Sequence, residues 1–269
     1  RDSCTPIVKV GDEVKVGQKI GESKATISAP VHSSVSGKVM KIEQMVLSNG
    51  QKGEVVVIES DGLNELGYTE TNDDFTQLSK EVILERIKEA GLVVLGGAGF
   101  PTHLKMNKKP DVKIEQVILN GAECEPYLTS DQLNMELYPQ KAIGGLKIIM
   151  KLMDCDKGYI GVEDNKQKAI GILKNASKDE KNISICSVKT KYPQGDERRL
   201  INAITGKKIS KAQRSNERGV QGLNISSAMA IYDAVVHSIP LTHRIVTMTG
   251  SAIKEPKNIY VPVGTKFKD

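Results

Sequence analysis

Along the first 60 residues, apolar positions fall in short alternating runs broken by Gly11, Gly17, Gly21 and Gly37. Alternation over about four to six residues between glycine turns predicts several short strands. Residues 61–78 are polar and irregular, and read as a linker. From Ser79 the period changes. Ile83, Leu84, Ile87 and Ala90 recur at helical spacing, with Ser79 placed to cap the helix and Gly91 to stop it. Beyond it, residues 92–95, 117–119, 159–162 and 183–188 read as short buried strands. Helices are predicted over 140–153, 165–176, 196–204 and 226–236, the first burying Ile143, Leu146, Ile149, Met150 and Met153. Strands alternating with helices predict an α/β unit with a mainly parallel sheet. A strand at 245–248 opens a last β-like stretch turned by Gly250 and Gly264. The pattern thus divides the chain into 1–60, a linker at 61–78, 79–244 and 245–269.

Composition narrows the function classes. Hydrophobic residues make up 39% of 269, an ordinary globular proportion. There is no Trp and only three Phe, so stacking surfaces are scarce. The net charge of +5 comes from 38 basic and 33 acidic residues, read as interleaved without a concentrated basic stripe. Nucleic acid is therefore not expected as a partner. No apolar run approaches the ~18–20 residues that a membrane span needs. The chain begins at Arg1 without a signal peptide, and reads as a soluble piece of a longer protein. Cys4, Cys124, Cys155 and Cys186 form no C-x-x-C pair, which predicts reduced thiols and a cytosolic setting. His32, His103, His237 and His243 lack helical metal spacing, so no metal site is expected.

Four loops could carry chemistry. The first is Gly96, Gly97, Ala98, Gly99, Phe100, Pro101, Thr102, continuing to Lys105, after an apolar run. Its glycines let a ligand approach the main chain, and Pro101 suits a first helical turn. Free N–H groups there, with Lys105, would favour a phosphate. The same residues also read as a tight structural turn, and the spacing is not the G-x-G-x-x-G of ordinary dinucleotide folds. The second loop runs from Asn120 through Glu123, Cys124, Glu125, Pro126 and Tyr127 to Asp131, directly after a strand. Asn120 could bond a flavin or ribitol edge, and Glu123 and Glu125 could accept ribose hydroxyls or be merely solvated. The third is Tyr192, Pro193, Gln194, Gly195, Asp196, Glu197, whose acids also suit a first helical turn. The fourth is Gly219 to Asn224, before a helix that Asn224 could simply cap.

The order and spacing of these loops resemble RnfC, the NADH-facing subunit of the Rnf ion-translocating ferredoxin:NAD oxidoreductase. They are also similar to those of the flavoprotein subunit of respiratory complex I, which shares Gly-Gly-Ala-Gly-Phe-Pro-Thr. The N-terminal run Ile27 to Ile42, with Ala29-Pro30 and Ser36-Gly37-Lys38-Val39, resembles the lipoyl-like barrel-sandwich hybrid. That feature fits RnfC and not the complex I subunit. Lys24 lies near the place where carrier domains hold a modified lysine, and also reads as a plain surface lysine. The resemblance implies an α/β fold: a barrel-sandwich hybrid, a Rossmann-like FMN/NADH domain, and the start of a β-grasp (SLBB-like) module. It implies that Gly96, Gly97, Lys105, Asn120, Tyr192, Gly195 and Asn224 hold FMN. Phe100 would stack on the adenine of NAD(H), Glu125 and Glu197 would contact NADH, and Glu123 would shape the flavin pocket. Gly99 and Asp196 complete the cofactor-binding set. Two departures stand out: Val94-Leu95 replaces the Arg-Gly of complex I, and Ala122 replaces an aspartate. The family's two 4Fe–4S clusters belong to a cysteine-rich tail absent from this sequence. Implied partners are the other Rnf membrane subunits and a ferredoxin-like iron–sulfur subunit, with the chain peripheral at the cytoplasmic face. Two alternatives share the core: an RnfC-like carrier serving an amino-acid (proline) reductase, and a non-catalytic NqrA-like scaffold.

Overall fold

The computed structural model describes residues 2–47, 50–108 and 111–266. Six strands build the first module: β1 (Thr5–Pro6), β2 (Glu13–Val14), β3 (Lys19–Glu22), β4 (Val31–His32), β5 (Gly37–Val46) and β6 (Lys52–Ser60). They form two three-stranded sheets, β1-β3-β4 and β2-β5-β6. Val8, Val14, Ile20 and Val39 fill the space between them, with Ile42, Val56 and Ile58 packed alongside. This is the small sandwich that the alternating pattern predicts. Lys24 is an exposed residue in the loop joining β3 to β4.

Helix α1 (Lys80–Glu89) starts where Ser79 accepts a hydrogen bond from the Val82 N–H, and Gly91 follows it at φ +70°. The sheet behind it consists of β7 (Gln116–Gly121), β8 (Gly158–Glu163), β9 (Ile183–Val188) and β10 (Val220–Asn224), in the order β10-β7-β8-β9. All three pairings are parallel. Between the strands run α2 (Thr102–Met106), α3 (Ser130–Leu137), α4 (Pro139–Met153), α5 (Gln167–Ala176) and α6 (Glu197–Thr205), and α7 (Ile225–Val236) follows β10. The core is continuous from α1 through α4 and α7 to the sheet, and Ile83, Ile87, Leu119, Leu146, Ile149, Ile160 and Ile231 are all wholly inaccessible. An antiparallel ribbon, β11 (His243–Met248) and β12 (Lys257–Pro262), closes the described chain.

Three expectations need correction. Residues 92–95 are no strand of the sheet. Only Val93 bridges, to Pro101, within a turn in which the Val94 N–H donates to the Phe100 carbonyl and the Gly99 N–H donates to the Val94 carbonyl. Leu92 and Val94 are still buried, so the apolar run marks packing rather than pairing. The place beside β7 is taken by β10, within what reads as a glycine-rich approach to a helix. Thirdly, α3 has no counterpart in the periodicity, because its first turn is held by a distant side chain described below.

The segment 61–78 is tied down at both ends. The Val16 N–H donates to the Glu65 carbonyl and the Gly67 N–H to the Val16 carbonyl, while the Thr71 and Asp73 N–H groups reach the His237 and Val236 carbonyls. An ion pair from Lys19 to Glu89 links the sandwich directly to α1.

Candidate functional site

Beyond the carboxyl ends of β7 and β10 the chain leaves a cavity of about 1150 Å³. Open parallel sheets bind ligands at this edge. Eleven of the thirteen predicted residues line it: Gly96, Gly97, Lys105, Asn120, Glu123, Glu125, Tyr192, Gly195, Asp196, Glu197 and Asn224. Gly99 and Phe100 do not. Gly99 is spent on the turn, at φ +52°, and Phe100 packs against the main core. An adenine stack on Phe100 is therefore not what this arrangement shows.

The fold uses several of these side chains as clasps. Asn120 donates from Nδ2 to the Gly195 carbonyl (2.8 Å), and its Oδ1 accepts from the Ala122 N–H (3.0 Å). It thereby pins the second loop to the third. A Cβ on Gly195 would lie 2.8 Å from the Ala122 carbonyl oxygen, so the two loops could not approach as they do with a larger residue. Glu123 is buried, and its carboxylate accepts from the Asp131 N–H (2.7 Å) and the Gln132 N–H (2.9 Å), with Lys166 at 3.9 Å. It holds the first turn of α3, where free N–H groups and the helix dipole favour an anion. Each of its oxygens thus accepts from the first turn of α3, while the residue also lines the cavity. Burial raises its pKa, with the nearby Asp131 charge next, against the two N–H bonds and Lys166.

Asn224 caps α7 through the Ser227 N–H (3.1 Å) and donates from Nδ2 to Asp131 (2.7 Å). The second oxygen of Asp131 accepts from the Ser226 hydroxyl. Burial raises the pKa of Asp131 too, opposed by these two donors. Asp196 caps α6 through the Arg199 N–H (3.1 Å). Pattern reading places Asp131 at the end of the second loop but gives it no role, and it misses Ser226 and Ser227; Ser227 also takes the Leu95 N–H (2.8 Å), fixing the glycine turn to α7. No local signal reveals them, since they meet only when α3 and α7 pack.

What remains available for a ligand is more limited. At the start of α2, the place expected for a phosphate, one first-turn donor is already used: the Thr102 N–H donates to the Leu92 carbonyl. The N–H groups of Gly96, Gly97 and Ala98 instead have no partner among the described residues. Gly97 stands at φ +87° with open space where a Cβ would be. Lys105 faces Glu197 at 4.0 Å, a loose pair, and Glu197 also accepts from the Ser215 hydroxyl (2.7 Å). Glu125 and Tyr192 line the cavity, are exposed, and make no side-chain hydrogen bond or ion pair among the described residues.

A glycine turn with free N–H groups, a cation and acidic loops gathered at the ends of parallel strands defines a nucleotide-cofactor-binding α/β protein. The chain belongs to the family of the Nuo51 FMN-binding domain, which matches residues 87–233. Residues 1–63 match the RnfC barrel sandwich hybrid domain. The resemblance to RnfC read from the four loops is thereby shown. Among relatives, the C subunit of the Na(+)-translocating ferredoxin:NAD(+) oxidoreductase complex of Acetobacterium woodii is 43% identical over 98% of this chain and 60% of that protein. The corresponding subunit of the proton-translocating ferredoxin:NAD(+) oxidoreductase complex of Clostridium ljungdahlii is 44% identical over 98% of this chain and 58% of that protein. The chain thus spans about 60% of the length of these relatives. A crystal structure of an NAD+-reducing NiFe hydrogenase superposes with a TM-score of 0.62 at 20% identity, over 70% of this chain and 38% of that one. At that identity the likeness shows the fold alone.

Proposed function

We propose that the chain is the FMN- and NAD(H)-binding part of an RnfC-type subunit that moves electrons between NAD(H) and ferredoxin in an ion-translocating complex. The observation that carries this reading is the cavity wall: three unpartnered N–H groups on Gly96, Gly97 and Ala98, with the cation Lys105 lining the same cavity. Such a wall suits a phosphate, which is what FMN presents besides its ring. Gly96, Gly97, Lys105 and Tyr192 would hold the FMN, and Glu125 and Glu197 would take polar groups of the dinucleotide. Asn120, Gly195, Asp196 and Asn224 support these residues through loop and helix contacts. When bound, the flavin supplies a two-electron acceptor for hydride from reduced nicotinamide. The protein's share is orientation and exclusion of water. No proton donor is required of it.

The two 4Fe–4S clusters and the ion-pumping partners belong, on this reading, to the 40% or so of the relatives' length outside the match. The β11–β12 ribbon begins a β-grasp (SLBB-like) module, and the functional divisions fall at 1–60, 61–78, 79–244 and 245–269. Among the described residues no helix is long and apolar enough to cross a membrane. On this reading, the family resemblance gives the chain a peripheral place on the cytoplasmic face.

Titration with FMN and then NADH, followed by flavin absorbance, tests this. FMN should bind at micromolar levels. Lys105→Ala should weaken it about tenfold, or ~1.4 kcal/mol, and Glu197→Ala should slow bleaching of the flavin by NADH. Absence of micromolar FMN binding would sink the proposal.

A further inference from the structure

Residues 198–218 contain Arg198, Arg199, Lys207, Lys208, Lys211, Arg214 and Arg218 against one acid, Glu217. The formal charge of this one segment exceeds the +5 of the entire chain, so the rest of the molecule is close to neutral. The interleaving read along the sequence hides this concentration. In the fold, α6 leads away from the cavity at Glu197, and the following loop returns to β10, the edge strand of the parallel sheet. The apolar members of the segment point inward: Leu200 and Ile201 are buried, and Ile204 and Ile209 pack against the same cluster. The exposed positions therefore carry the cations among small and polar neutral residues, with Glu217 the one acid of the segment.

Two of the cations have internal partners. Lys207 pairs with Glu115, and Arg198 donates to the Lys211 carbonyl. Arg199, Lys208, Lys211, Arg214 and Arg218 are exposed, and their side chains make no ion pair or hydrogen bond with any described residue. The surface they form is joined to the cavity, since the Ser215 hydroxyl bonds the Glu197 carboxylate on the cavity wall.

We propose that this face docks an electron-carrier protein with an acidic surface, setting its redox centre beside the cavity mouth. The inference rests on the flavin reading of the cavity for its purpose, though not for the docking itself. A dinucleotide is too small an occupant: its pyrophosphate carries two charges, and Lys105 already stands within the cavity. Five uncompensated cations spread over a loop and a helix roughly 13 Å long match a protein-sized patch. Single-stranded nucleic acid needs aromatic platforms, and residues 198–218 contain no aromatic residue. A membrane-seated surface would offer apolar side chains to insert, and here they are packed inside.

Calorimetric titration of the FMN-loaded chain with oxidised ferredoxin, and separately with flavodoxin, tests the docking at about 20 and about 200 mM KCl. Between these the Debye length falls from roughly 20 Å to under about 10 Å. Micromolar binding is expected at the lower salt, weakened at least about tenfold at the higher. The triple variant Lys208→Glu, Lys211→Glu, Arg214→Glu should lose a similar factor and keep its FMN affinity. The matched reversal Lys38→Glu, Lys41→Glu, Lys52→Glu, on exposed positions of β5 and β6, should bind like the parent chain. The proposal is overturned if neither carrier binds at low salt or if both triples weaken binding equally. It is also overturned if phosphatidylglycerol vesicles or a DNA duplex bind more tightly than the carriers and lose that binding in the first triple. Repeating the titration without FMN separates the two readings. Carrier binding by a chain that takes no FMN leaves docking standing and ends the flavin reading, while FMN binding without carrier binding does the reverse.

Discussion

Glu163, at the carboxyl end of β8, is 1% exposed, and its Oε1 has no hydrogen-bond partner among the described residues. Burial raises its pKa, against a main-chain bond from Lys191 and the charge of Lys166. An acid that ionises less readily in the fold than in the unfolded chain costs stability as pH climbs from the ordinary Glu range, ~4.3, through the raised value. Below that range the cost is absent. Glu163→Gln should therefore melt higher than the parent chain near pH 8, by about 2–4 °C for ~1 kcal/mol. The gap should close below about pH 3.5, under the ordinary Glu range. A gap of constant size across thermal melts at both pH values would refute the assignment. At this scale the candidate site is only partly legible. The residue types at Asn120, Glu123 and Asn224 announce polar work, but not whether the partner is a ligand or the protein's own N–H groups. Those partners come from loops 75, 8 and 93 positions away, or from a local cap.

Helices α4 and α7 show how packing decides between elements. A Cβ added at Gly145 of α4 would lie 2.1 Å from the Ala228 carbonyl oxygen of α7. Intrinsic propensity favours Ala over Gly in a helix by about 1 kcal/mol. Here the obstacle is backbone of a buried helix, with no flexible side-chain end to yield, and overpacking of that kind costs about 1–3 kcal/mol or more. Gly145→Ala should thus lose about 2 kcal/mol net in urea unfolding. Equal or greater stability would mean that α4 and α7 do not touch there. Strongly periodic elements were legible: α4, α5, α6 and α7 begin within two residues of their predicted starts. The strand β10 was not, because its two glycines suggest a turn, whereas its place is made by pairing with β7. Helix α3 was missed because Glu123, and not a residue beside it, satisfies its first turn.

Across the whole molecule, the sandwich and the α/β unit meet at Gly91, where φ is +70° and a Cβ would lie 2.4 Å from the Pro30 carbonyl oxygen and 2.9 Å from His32 Nδ1. Gly91→Ala combines backbone strain with a clash across the modules. A loss of about 2–4 kcal/mol is expected. The segment 61–78 should then become easier to cut by chymotrypsin at Tyr68, whose ring packs against Gly17. Unchanged cleavage would show that the two modules are held elsewhere. The charge of the molecule is also a property of this scale. Its excess lies in residues 198–218 beside the cavity, where Leu200, Ile201, Ile204 and Ile209 pack inward and the cations stay exposed.

By itself the sequence determined the sandwich and the parallel α/β order, because alternation and helical spacing follow from burying one face of each element. It also determined the family, through four loops whose order is covalent. Only the tertiary structure decided which loop residues face the cavity and which clasp the loops together. A carboxylate or amide bonds equally well to a ligand and to a main-chain N–H, and the choice rests on what folding places within about 3 Å of it.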